Sequence, residues 1–176
     1  MTKFVASTPN AQVSGDSIQG YLNCIRYDEI KDVLEKHSLT DIQATEWWPH
    51  QTMLSVLAEI GQGTVNVSES LVSIGIKVME MTTMPPQIDS IQTVLGSLGA
   101  VYQMHHRNVS EVGWISEELG PRHMRVYHEG PYPEDLCYGI VWGGVQRFRP
   151  AGSRFTITPI PGETFDAPTV YDIVWD

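Results

Sequence analysis

Through the first hundred residues the hydrophobic positions recur every three or four residues, and beyond about residue 105 they alternate. The first pattern is that of helices burying one face, the second that of half-buried strands. Residues 13–25 are expected to form a first helix, capped by Asp16 or Ser14, with Ile18, Tyr21, Leu22 and Ile25 in its stripe. Residues 27–37 follow, with Ile30, Val33 and Leu34 inward and a charged, solvated face from Asp28 to Lys36. Trp47-Trp48-Pro49 introduces a third helix with Pro49 in its first turn, and Gly61 and Gly63 end it. Two adjacent tryptophans cannot share one helical face, so one is expected in the core and the other over a neighbouring element. Residues 68–81 are apolar nearly all round, as in a helix buried on several sides. Two prolines then break the chain, and residues 87–102 carry a regular stripe of Ile88, Ile91, Leu95, Leu98 and Tyr102.

In the second part, Val112, Trp114 and Ser116 begin a strand that turns at Gly120-Pro121. Residues 122–128 return with Met124, Val126 and His128 on one face and His123, Arg125 and Tyr127 on the other. After Gly130-Pro131, Pro133 with Glu134 and Asp135 suits the positive start of a sixth helix. That helix buries Leu136, Cys137, Ile140, Val141 and Val145, yet contains Gly139, Gly143 and Gly144. Each glycine inside a helix costs roughly 1 kcal/mol relative to alanine, so another helix or a ligand is expected to approach closely there. Phe155 and Ile157 alternate in a strand ended by Pro159 and Pro161, and Tyr171, Ile173 and Trp175 in a last one. The order is five helices, hairpin, helix, hairpin. It predicts an α+β fold within one domain over 1–176: a helical layer, about 13–104, on a four- to five-stranded antiparallel sheet, which with the glycine-rich helix spans about 109–176.

Charge narrows the partners. The formal net charge is −10, with 11 basic against 21 acidic residues. Nucleic acid is disfavoured, because binding its phosphates is largely a Lys and Arg effect, and an anionic membrane surface is disfavoured likewise. No apolar run opens the chain and none reaches the roughly 20 residues of a membrane span, so a cytoplasmic protein is the expectation. Cys24 and Cys137 both lie in apolar helical patterns and are expected as buried free thiols.

Candidate chemistry is sparse. His105 and His106 end a helix, where a positive charge is favoured, and His123 and His128 point to opposite faces of a strand. No H-x-x-x-H or C-x-x-C spacing supports structural zinc. The sequence has no G-x-S-x-G and no phosphate-binding glycine loop. Cys137 near a helix start is the one candidate nucleophile, without an evident local base. Apolar capacity remains: Trp114, Tyr127, Cys137, Gly139, Ile140, Gly143 and Phe155 are the expected ligand-binding positions.

Trp48-Pro49, Gly120-Pro121-Arg122, Gly130-Pro131-Tyr132-Pro133 and Leu136-Cys137-Tyr138-Gly139-Ile140 leading to Gly143-Gly144 carry a resemblance. The chain resembles the superfamily of ligand-binding domains found in 4-vinyl-reductase-type sensors, haem–nitric-oxide-binding domains and TRAPP vesicle-tethering subunits, above all its bacterial branch. The resemblance implies a small-molecule or lipid pocket between helices and sheet, and dimerisation through helices. Of the cysteine cluster that holds zinc in some members only Cys137 stands here. The Tyr-x-Ser-x-Arg haem-propionate motif is absent, as is an evident proximal histidine, so neither haem nor zinc is supported by motif. The expectation is a non-catalytic module that binds a small hydrophobic molecule and acts as a homodimer or through a partner. Its alternatives are a scaffold or assembly subunit with a filled core, and a thiol-dependent enzyme using Cys137.

Overall fold

Serine hydroxyls set where three of the helices begin. Ser14 Oγ accepts from the Ser17 amide at 3.2 Å and starts α1 (Gly15–Leu22). Ser70 does the same for α4 (Leu71–Met81), and Ser90 with Thr93 forms a capping box before α5 (Ile91–His105). Each of these bonds satisfies an amide that the first helical turn leaves unpaired. The computed structural model of the chain describes residues 3–65, 67–160 and 168–176. Between α1 and α4 lie α2 (Tyr27–Lys36) and α3 (His50–Gly61), joined across their surfaces by the Lys36–Glu59 pair at 2.7 Å. In α2 the buried residues are Ile30, Val33 and Leu34, with the charged face outward as expected.

Three short strands interrupt the helical layer, and periodicity does not predict them. β1 (Gln12–Ser14) pairs antiparallel with both β2 (Trp47–Pro49) and β3 (His106–Arg107). Val13 is therefore a strand residue opposite Trp48 and His106 rather than the start of a helix. Pro49 stands just outside α3, at ψ 124°, instead of within its first turn. Trp48 packs against the core, while Trp47 lies under the Arg107 guanidinium at 4.3 Å.

The larger sheet has the order β4-β5-β7-β6, all antiparallel: β4 (Gly113–Gly120), β5 (His123–Glu129), β7 (Thr169–Trp175) and β6 (Phe155–Ile160). Between its two hairpins runs α6 (Glu134–Phe148). The fold is α+β, with six helices and two antiparallel sheets among the described residues. Met124, Val126, His128, Tyr171, Ile173 and Trp175 turn inward. On the outer face, His123 and Arg125 meet Asp172, and the Tyr127 hydroxyl donates to Glu117. Pro159 does not end β6; it pairs opposite Tyr171 on an edge strand, where a missing amide is tolerated. Pro161 lies outside the described residues.

The glycine face of α6 is filled by α4. A methyl group at Gly139 would strike the Val72 carbonyl oxygen, and one at Gly75 the Leu136 carbonyl oxygen. At Gly143 a Cβ would lie 3.0 Å from both the Ile76 oxygen and the Met79 Cβ. The two backbones thus pack against each other directly. As expected of a helix buried on several sides, α4 packs against α6, α1 and α3, and it leaves only Glu80 and Met81 of its last turn in solvent.

Candidate functional site

Where the helical layer meets one end of the sheet, the chain buries a cluster of imidazole and phenol rings. His50 opens α3 directly after β2, with its main-chain amide donating to the Ala11 carbonyl at 2.9 Å. His106 is the first residue of β3, and Tyr102 lies one turn earlier on α5. Tyr132 comes from the loop between β5 and α6. The rings of His50 and His106 are 4.8 Å apart, and His50 and Tyr132 5.3 Å. Tyr102 stacks on His106 at 4.0 Å, and Tyr21 of α1 stacks on Tyr132 at 5.9 Å.

Hydrogen bonds assign the protons in part. His106 Nδ1 lies 2.8 Å from the Tyr102 carbonyl oxygen, which can only accept, so Nδ1 carries the proton. His106 Nε2 then accepts from the Tyr132 hydroxyl, also at 2.8 Å. The Tyr102 hydroxyl donates to the buried Glu111 carboxylate. His50 has no such partner: it is 0% exposed, and neither ring nitrogen makes a hydrogen bond. Burying a polar group in that state costs about 1–3 kcal/mol.

A second contact adjoins the first. His128 Nδ1 lies 3.4 Å from Cys137 Sγ, and the Trp114 ring sits 4.5 Å from the His128 ring. Cys137 therefore has a base beside it, nine residues earlier in the chain but adjacent across β5 and α6, which the sequence reading did not find. Burial nevertheless pushes the thiol up to about 12 and holds His128 down to about 3, helped by Lys3. The pair is a neutral thiol against a neutral imidazole, and both are 0% exposed. Thiolate attack is unavailable to it at neutral pH.

Burial likewise lowers His50 to about 3 and His106 to about 4, the latter against the raising effect of its bond to the Tyr102 carbonyl. Tyr102 and Tyr132 are raised by the same cause. All three imidazoles are neutral at physiological pH. His106 was expected as a helix-end residue favouring a positive charge; it is instead a buried neutral group, because β3 turns it inward.

Of the seven residues expected to bind a ligand, Trp114 and Cys137 come together around His128. Ile140 is buried on α6, Gly139 and Gly143 face α4, Tyr127 lies on the outer face of the sheet, and Phe155 pairs with Trp175 at its far end, against Trp142. His50, Tyr102, Glu111 and Tyr132 were not foreseen as site residues. The visible signal was modest: a histidine at the head of an apolar helix and a tyrosine between two prolines. A half-open cleft of about 460 Å³ lies elsewhere, lined by Gln19, Leu22, Ile25, Ile30, Leu39 and Asp41, with no histidine in its wall. Among the described residues, no group of three or more His, Cys, Asp or Glu is placed to hold a metal ion. No described helix is long and apolar enough to cross a membrane.

No protein-family model matches the sequence, and none of the curated proteins does. Solved structures do. The chain is similar to an oxygen-binding H-NOX domain related to soluble guanylate cyclases, with TM-score 0.66 and 13% identity over 92% of each chain. It is similar to an H-NOX protein from S. oneidensis in the Fe(II)NO ligation state, with TM-score 0.65 and 14% identity over 93% of this chain and 99% of that one. A third is a protein studied for haem redox potential modulated by porphyrin distortion, with TM-score 0.64 and 13% identity over 91% of this chain and 96% of that one. The expectation that haem is unsupported is thereby corrected. It rested on a missing motif and an unrecognised histidine, whereas the fold is shared with haem proteins and the interior holds neutral imidazoles. At these identities the likeness is one of fold, and the chain has the fold of the H-NOX domains.

Proposed function

We propose that this chain is a sensory module that takes a small molecule into the ring cluster between its helices and sheet, with haem as the group to test first. His50 carries the reading: a fully buried, neutral imidazole with both nitrogens unpartnered. A neutral imidazole is the nitrogen donor that haem iron takes in many proteins. The donor chemistry therefore fits haem. Rings of His106 and Tyr132 stand against His50, so a planar group enters only as Tyr132 swings aside, and Tyr132 is held at its tip by one hydrogen bond. Tyr21 and Tyr102 would wall the site, and Trp114, Cys137 and Ile140 would form its sheet-side boundary. Bound there, haem would supply an iron able to take a small gas such as oxygen or nitric oxide, as the solved relatives do.

Occupancy would be passed on without catalysis, by homodimerisation or by contact with a partner protein. Kinship with 4-vinyl-reductase-type sensors and TRAPP subunits rests on the Gly130–Pro133 and Leu136–Cys137 segments. Titrating the purified chain with hemin, while following the Soret band and tryptophan fluorescence, tests the reading. A saturable new band supports it; no band with hemin and no fluorescence response to a panel of apolar compounds refutes it.

The close packing of the rings favours a second reading, a scaffold or assembly subunit with a filled core. A monomer in light scattering at high concentration would count heavily against that alternative.

A further inference from the structure

We propose that the half-open cleft of about 460 Å³ between α1, α2 and the loop after α2 is a binding site for a small amine carrying an apolar chain. It shares no lining residue with the ring cluster and is independent of what that cluster binds.

Main-chain bonds make the cleft a standing space. Beyond α2 the chain reverses through Ser38 at φ 54°, and the Leu39 amide donates to the Leu34 carbonyl at 2.8 Å. Leu39 is thereby buried, and with Ile25, Ile30 and Leu34 it forms the apolar floor. A second left-handed residue, Asp41 at φ 53°, turns the chain again. The loop is then fastened to α1 in three places. Gln19 Nε2 donates to the Ile42 carbonyl at 2.8 Å, and the amides of Asp16 and Gly15 donate to the carbonyls of Ala44 at 3.1 Å and Glu46 at 2.8 Å. Walls held in this way are formed before a ligand arrives, which avoids the entropy of ordering them on binding.

Charge selects the occupant. Asp41 is the only charged side chain among the eleven lining residues, and it stands exposed at the rim with Asn23, Tyr27 and Thr40. The C-terminal end of α1, the partially negative end of that helix, meets the same space at Gln19, Leu22 and Asn23. Its last turn holds no basic residue. The positive start of α2 is already answered by Asp28 and Glu29, and these two also hold the adjacent Arg26, at 2.8 and 3.6 Å. The cleft thus has an anion at its rim and no cation of its own. An ammonium group would meet Asp41 there, with the exposed Tyr27 ring near enough in the same wall for a cation–π contact. Its apolar chain would lie on the floor. A carboxylate of the same length would be repelled by Asp41, and the net charge of −10 adds to that selection.

The experiment titrates hexylamine into isotope-labelled full-length protein near neutral pH, with hexanol and hexanoate as matched probes, and follows amide NMR shifts. Saturable shifts should gather at Gln19, Asn23, Tyr27 and Asp41, with hexanoate binding at least about tenfold more weakly. From butylamine through hexylamine to octylamine the affinity should rise, by up to about fourfold per buried methylene. Asp41→Asn supplies a residue that also tolerates the left-handed backbone. It should weaken hexylamine by about tenfold and abolish its advantage over hexanol. Asp32→Asn removes the same charge from an exposed position of α2 outside the cleft, and should leave that advantage intact. The amide spectra also show that both variants are folded. Hexanol or hexanoate binding the wild type as tightly as hexylamine, D41N keeping the preference, or D32N losing it equally would each overturn the proposal. So would shifts scattered over the acidic surface, or none that saturate.

Discussion

Gly139 of α6 and Val72 of α4 lie so close that no side chain fits between them. A Gly139→Ala substitution gains helix propensity of up to about 1 kcal/mol. Its methyl group meets a carbonyl oxygen fixed in the α4 backbone, so two helices must part, and overpacking of that kind costs typically about 1–3 kcal/mol. Net destabilisation by urea denaturation is the expected result. Gly96→Ala is the control: it is exposed on α5 with nothing within 4 Å, and should be neutral or stabilising. Equal effects at the two positions would contradict the packing described.

Arg147 closes the same seam at its other end. Its Nη1 donates to the carbonyls of Met79 at 2.6 Å and Thr82 at 2.7 Å, groups that the end of α4 leaves without helical partners. Arg147→Lys should recover only part of the roughly 1 kcal/mol of stability that Arg147→Ala loses, because the shorter lysine lacks the reach of Nη1 and the flat guanidinium that lies 5.4 Å from the Phe148 ring. Thermal unfolding of the three proteins decides it.

The interior should be acid-sensitive. His50, His106 and His128 are held below their ordinary value of 6.5, to about 3, 4 and 3. Above pH 6.5 folded and unfolded chains are both neutral at these sites, and the full stability is present. As pH falls below 6.5 the unfolded chain takes up protons that the folded chain refuses, and stability drops until about pH 4 to 3. The limiting slope is about 1.4 kcal/mol per pH unit for each imidazole. Glu29, Glu59 and Asp172 are also held below their usual values by hydrogen-bonded partners, but they lose stability only below about pH 4.5. The urea midpoint should therefore already fall between pH 6.5 and 5, and His50→Phe should flatten that fall. A midpoint constant over that range would show that these imidazoles are not buried neutral groups.

Tyr132→Phe keeps the ring and removes one hydroxyl. It leaves His106 Nε2 as a buried acceptor without a partner, at a cost of about 1–3 kcal/mol. Calorimetry should record the lower Tm. If the hydroxyl latches the loop over His50, the same variant should also take up hemin faster in stopped-flow absorbance.

The elements that carry a long periodic signal were legible in the chain. In β5 the alternation correctly placed Met124, Val126 and His128 on one face, and the structure turns that face inward. The order of helices and hairpins also held, because each element is long enough for burial of one face to outweigh local preference. The three-residue strands β1 and β2 lie below any such period; only pairing across the fold defines them. The same limit hid the ring cluster. His50 and His106 owe their burial to those short strands, and Glu111 to a loop, so their local sequence resembles that of surface residues. The Cys137–His128 contact was hidden because the two stand on different elements, while a scan for a base looks nearby in sequence. Haem was discounted from a motif, and a fold can be shared where a motif is not.

The small sheet has one more consequence, for the order in which the chain can fold. Val13 must find both Trp48 and His106, so its strand is incomplete until more than half of the polypeptide exists. Contacts this distant in sequence are entropically slow to close. Because His50 follows β2 directly and His106 begins β3, the ring cluster is assembled in that same late step. A molecule met during synthesis would find these rings still apart, and one met afterwards would have to displace Tyr132 to reach them.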